Sequence, residues 1–200
     1  MERESGDTKT LLLCTVGGSP QPVIKAIENI QPERVIFVCS EESKPDLSGP
    51  RTRLKNPLRG PVPPDGSPWL EAPVASSAAE SAIVKDAQRI DVCIESVQKK
   101  LDDAVRKWLG RGDSHRVIVD VTGGTKVMSA ALALCARQWP CRYYYTGGTE
   151  REKSNVGIVV DGSEKEFETA NPWDALGYQA MEDFRMFFNA GQFAAARLCT

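Results

Sequence analysis

Residues 120–126, Asp-Val-Thr-Gly-Gly-Thr-Lys, place a carboxylate, two hydroxyls, two glycines and an ammonium within seven positions. Such groups suit one kind of chemistry, the holding of a phosphate or a ribose. Glycines let main chain approach a ligand closely. Thr122 and Thr125 carry hydroxyl donors, and Lys126 a mobile positive charge. If a helix opens at Lys126, its first N–H groups attract an anion. Gly17-Gly18-Ser19 is a second stretch of this kind, and Gly147-Gly148 a third glycine pair. Neither G-x-x-x-x-G-K-[ST] nor G-x-G-x-x-G occurs, so neither a P-loop nor a dinucleotide fingerprint is expected. Near the glycines the obvious carboxylates are Asp120 and Glu41, and Asp120 reads as structural. His115, the only histidine, reads as a surface residue before a strand, so no histidine-rich metal site is expected.

The elements that must position these groups follow from the apolar pattern. Lys9–Val16 and Arg34–Ser40 are continuous apolar runs, as in strands buried on both faces. The segment between them opens with Pro20 and Pro22 and sets Val23, Ile24, Ile27 and Ile30 on one side, a helical pattern. The result is a βαβ unit and a parallel sheet. Arg116–Val121 is a third strand, "KVMSAALALCARQ" the following helix, and "CRYYYTGG" a fourth strand. "WLEAPVA" reads as a short strand. Ser77 and Glu80 form a capping box ahead of an apolar seam, Ile83, Ala87, Ile90, Ile94, Val97, Leu101, Ala104 and Trp108, which predicts one long helix ending at Gly110. "NVGIVVDGSEKEFETA" predicts a hairpin turning at Asp161-Gly162, and the segment after it is helical in pattern. "FFNAGQFAAARL" within it resembles a helix-turn-helix whose partner helices are missing, so the native chain is expected to continue. Residues 41–69, rich in proline and glycine, show no periodicity. A loop of about 30 residues is functional or disordered. Its Arg51, Arg53, Lys55 and Arg59 suggest a basic flap over an anion, against the plainer reading of a solvated loop.

Two hundred residues suffice for one domain with its own core. The net charge of −2 requires any polyanion to be held by local groups, since there is no global basic field. No apolar run reaches the roughly 20 residues of a membrane span, and the polar N-terminus lacks a signal-peptide core. The six cysteines form no C-x-x-C pair and read as buried thiols in a reducing cytoplasm.

"CTVGGSPQPVIKAI" and "VIVDVTGGTKVMSAALALCA" resemble the two signature regions of CARF domains, the Rossmann-like sensors of type III CRISPR systems. The Cas02710-type pattern Asp-x-Thr-Gly-Gly-Thr-Lys-x-Met is met by Asp120, Thr122, Gly123, Gly124, Thr125, Lys126 and Met128. The resemblance spans roughly residues 9–170. It implies an α/β fold: a Rossmann-like, mostly parallel sheet with helices on both faces, a C-terminal hairpin and a helical tail. It also implies a cytoplasmic homodimer that binds a cyclic oligoadenylate, tetra- or hexa-adenylate, across its two-fold axis. That binding would control an effector domain beyond residues 1–170, with 171–200 as a helical linker. The R-x-x-x-x-H motif of a HEPN ribonuclease is absent here. The residues expected around the ligand are Val16, Gly17, Gly18, Ser19, Ser40, Thr122, Gly123, Gly124, Thr125, Lys126, Met128, Thr146 and Gly147. No cofactor, metal or membrane partner is expected.

Two other readings stay open. In a ring nuclease the ribose 2′-OH would attack the adjacent phosphate, with Ser19, Thr125 and Lys126 positioning it and steadying charge. An unrelated Rossmann-like nucleotide enzyme would need a catalytic acid or base beside the glycine loops.

Overall fold

The computed structural model describes residues 8–56, 69–148 and 164–199. Lys9–Thr15 (β1), Arg34–Cys39 (β2), Ala79–Ile83 (β5), His115–Asp120 (β6), Arg142–Gly148 (β7) and Glu164–Ala170 (β8) form a six-stranded sheet in the order β5-β2-β1-β6-β7-β8. β8 pairs antiparallel with β7, and all other neighbours are parallel. Arg51–Lys55 (β3) and Trp69–Ala75 (β4) make a separate antiparallel ribbon.

Alternation along each central strand sorts its side chains to two cores. Leu11, Leu13, Ile36 and Val38 face one side with Val117 and Val119; Leu12, Cys14, Val35 and Phe37 face the other with Ile118 and Tyr144. Gln21–Ile30 (α1) covers the second side with Val23, Ala26 and Ile27, at spacings of three and one. The β3–β4 ribbon covers the same side through Leu54, Ala72 and Val74. Ile90–Leu109 (α2) and Lys126–Cys135 (α3) cover the first. The fold is therefore a Rossmann-like α/β sandwich. Each fully buried leucine, such as Leu12 or Leu13, contributes about 1.5–3 kcal/mol.

α2 starts at Ile90, not near Ile83, and the expected capping box does not form. Ser77 lies in a single 3-10 turn, while Glu80 lies in β5 and pairs with Arg34 and Lys100. The reason is the ladder: residues 79–83 dock parallel to β2 with Ala79 and Ala82 buried, so the sheet edge supplies main-chain partners that a local motif cannot reveal. The buried seam of α2 is Cys93, Val97, Leu101, Val105 and Trp108, and Ile90 is exposed.

Nor is the 41–69 stretch wholly irregular. Thr52 and Leu54 point inward and Arg51, Arg53 and Lys55 alternate with them, which is strand periodicity. Arg53 pairs with Asp46 and lies 5.9 Å from the Trp69 ring centroid. Arg59 falls outside the described residues, as do the Asp161-Gly162 turn and the first arm of the expected hairpin; its second arm, β8, pairs antiparallel with β7.

Beyond β8, buried Asn171 caps Pro172–Ala175 (α4) by accepting from the Trp173 N–H, and its amide donates to the Trp139 carbonyl at 3.1 Å. Trp173 packs against the α2–α3 core. Tyr178–Asn189 (α5) and Phe193–Arg197 (α6) then turn at Gly191, φ 73°, held by Phe188 against Phe193. Among the described residues no helix is long and apolar enough to cross a membrane. All six cysteines are free thiols and five are buried. Burial pushes Cys39, Cys135 and Cys141 up to about 12, which suppresses their thiolates.

Candidate functional site

The chain leaves β1 toward β2 on one side and returns through β6 and β7 on the other. β1 and β6 are thus neighbours at the topological switch point, where open α/β sheets form a crevice at the strand carboxyl ends. Both signature loops emerge there, and the third glycine pair closes the adjacent β7.

The two loops pack directly on each other. A Cβ on Gly17 would lie 2.9 Å from Gly124 Cα, and one on Gly123 would collide with the Thr15 carbonyl oxygen. Gly124 also adopts φ 73°, where a side chain is strained. These glycines let main chain meet main chain, a role distinct from the ligand approach expected of them.

Hydroxyls lock that contact. Thr15 and Ser129 both donate to the Gly123 carbonyl, at 2.6 and 2.7 Å. Thr122 donates its N–H and its hydroxyl to Asp120 Oδ1, at 2.9 and 2.5 Å, and its Oγ1 accepts the Thr146 N–H at 2.8 Å. Thr125 caps α3 by accepting the Met128 N–H at 3.1 Å and donates to the Ala87 carbonyl at 2.7 Å. A hydroxyl has one proton, so in this structure the Thr122 and Thr125 donors serve the loop. The first-turn N–H groups of Lys126 and Val127 have no preceding helical carbonyl to bond. α1 also opens at this end, just after the Gly17-Gly18 loop.

Asp120 is fully buried; burial pushes its carboxyl up to about 6 against the opposing bonds from Thr122. Its Oδ2 has no partner among the described residues. Asp120 therefore acts as the anchor of Thr122, in line with its structural reading.

A cavity of ≈ 280 Å³ lies in front of the loops. Val16, Gly17, Gly18, Ser40, Thr125 and Met128 line it, together with Glu42, Ser43 and Lys55, which sequence reasoning did not select. Ser43 donates to the Val16 carbonyl at 3.0 Å and accepts the Ser40 N–H at 3.1 Å, so the turn after β2 is tied to the end of β1. The carboxylate that lines the cavity is Glu42, the neighbour of Glu41. Ser19 and Lys126 are exposed nearby; Thr122, Gly123, Gly124 and Gly147 are half-buried, and Thr146 is buried. None of these seven lines the cavity. A larger groove of ≈ 360 Å³ runs between α2 and the amino ends of β1 and β2, past Arg34, Lys100 and Trp108. It touches neither glycine loop nor helix start, so the smaller cavity is the candidate site.

No family model and no curated protein matches this sequence. Solved structures match it in shape. Csm6 of Enterococcus italicus, bound to cyclic hexa-2′-fluoro-hexa-dAMP, is similar with a TM-score of 0.52 and 13% identity, over 94% of this chain and 47% of its own. Can2 from Sulfobacillus thermosulfidooxidans, in complex with cyclic tetra-adenylate, gives a TM-score of 0.36 and 13% identity, over 70% of this chain and 33% of its own. The chain spans about half the length of the Csm6 chain, and the likeness to it is one of fold.

Proposed function

We propose that this chain is a CARF-type sensor that binds a cyclic oligoadenylate at the switch point. The observation that carries the reading is the meeting of the two signature loops, Gly17 on Gly124, at the carboxyl ends of β1 and β6. Two helix starts and Lys126 give that end of the sheet a local positive potential despite the overall charge of −2. A cyclic oligonucleotide is a ring of phosphates and riboses, and such a potential suits its phosphates. The fold likeness to Csm6, a protein solved with a cyclic hexanucleotide analogue, supports the same reading.

Two copies of the chain, related by a two-fold axis, present every loop twice to a symmetric ring. Residues 1–170 are the sensor, and residues 171–200 link it to an effector whose activity the ring controls in cytoplasmic antiviral defence. Sensing needs binding without turnover. Among the described residues no lining residue is a histidine, and Glu42 is the one carboxylate. The test is incubation of the chain with cyclic tetra- and hexa-adenylate, followed by light scattering and chromatography of the nucleotides. A ligand-bound dimer with the ring intact is expected; linear products would make the chain a ring nuclease, and absence of binding to either ring would refute the proposal.

A further inference from the structure

The β3–β4 ribbon changes what the cavity can recognise. Leu54 and Thr52 are fully buried in the α1-side core with Ala72, and Arg53 is tied to Asp46. The main chain at Lys55, next to Leu54, is thereby fixed against the domain. The described part of the basic segment is a wall, not a flap, and it sets Lys55 at the cavity.

Of the described residues lining that cavity, Lys55 is the only cation and Glu42 the only acid. The hydroxyl protons of Thr125 and Ser43 go to the Ala87 and Val16 carbonyls. The volume, ≈ 280 Å³, sits just under the low end of small-ligand sites, about 300 Å³ upward. That is room for one nucleotide unit, not for a whole ring. Resting on the reading above, we propose that Lys55 and Glu42 are the specificity-determining pair of this single-nucleotide subsite. Lys55 contacts a phosphate. Glu42, an acceptor when ionised, takes the exocyclic 6-amino group of adenine. A base that presents a carbonyl at that position would face the carboxylate with two acceptors and no proton between them, which costs binding. A phosphate beside Glu42 would be repelled, so the two residues also fix which end of the nucleotide enters which side.

The test uses the full chain and four ligands: cyclic tetra- and hexa-adenylate and their inosine counterparts, in which a 6-oxo group replaces the 6-amino group. The parent should bind the adenine ring at least roughly tenfold more tightly than the inosine ring. Lys55→Met should weaken adenine-ring binding by roughly tenfold and flatten its salt dependence, and Lys55→Arg should restore both. Glu42→Gln, whose amide offers a donor or an acceptor, should bind both rings alike. A parent that binds both rings equally, or a Glu42→Gln variant that keeps the preference, overturns the role of Glu42. A Lys55→Met variant with parental affinity and salt dependence overturns that of Lys55, and in either case the sensor reading stands. A parent that binds no ring refutes the sensor reading itself.

Discussion

Gly17 and Gly124 touch main chain to main chain, a Cβ on the first falling 2.9 Å from the Cα and 3.0 Å from the N of the second. The loops after β1 and β6 are far apart in sequence and form one surface only because neither carries a side chain at that contact. The site and the packing at the switch point are therefore a single feature.

Gly17→Ala should cost stability as well as binding. The added methyl meets main chain, which cannot rotate aside, so overpacking of about 1–3 kcal/mol is expected. For a chain of this size that is roughly 2–4 °C of melting temperature per kcal/mol. Calorimetry of parent and variant reads it directly; an unchanged melting temperature would mean that the loops part without cost.

Thr125→Ala removes the cap of α3 and the tie to the Ala87 carbonyl together. A loss of about 1–2 kcal/mol is expected in urea unfolding, with Thr125→Ser keeping most of the stability. If Ser and Ala lose equally, the threonine methyl and not its hydroxyl holds the loop.

Asp120 gives a pH dependence with a definite sign. Its carboxyl titrates near 6 in the folded chain against an ordinary 3.8. Between these values the folded state keeps a proton that the unfolded state has lost, so stability falls as pH rises from about 4 to 6. The shift corresponds to about 3 kcal/mol at most. Asp46 runs the other way, held down to about 2 chiefly by its bonds from Ser48, and its contribution is lost below pH 4. Urea midpoints from pH 4 to 7 should therefore decline in the parent and flatten in Asp120→Asn. A parent whose midpoint rises across that window would contradict the buried, raised carboxyl.

Lys126→Ala should leave the fold intact, since the side chain is exposed at the first position of α3. Loss of a charge-assisted contact, about 1.5–3 kcal/mol, should lower cyclic oligoadenylate affinity at least roughly tenfold. A well-folded variant binding like the parent would mean that Lys126 points away from the ligand.

The switch point was legible because its strands are continuous apolar runs and its loops carry glycine pairs; β1, β2, β6, β7 and the helices between them follow from that pattern. β5 was not, because Ala-Glu-Ser-Ala-Ile is short and weakly apolar, and its partner β2 lies some forty residues earlier. The same distance hid the true start of α2. In β3 the period-two alternation of Thr52 and Leu54 was available, but prolines and glycines around it masked the strand. Lys55 therefore read as loop charge, and its place at the cavity depends on a ribbon that only tertiary packing fixes. The sequence shows the hydroxyls of Thr122 and Thr125 but not the Asp120 and Ala87 acceptors that take their protons, so both read as ligand donors.

Calorimetric titration of the chain with cyclic tetra- and hexa-adenylate tests the central claim most directly, because it reads affinity and stoichiometry together. The account predicts saturable binding of at least one of the two rings, with one ring held by two chains. No binding of either ring at micromolar concentration, or one ring bound by each separate chain, would contradict it.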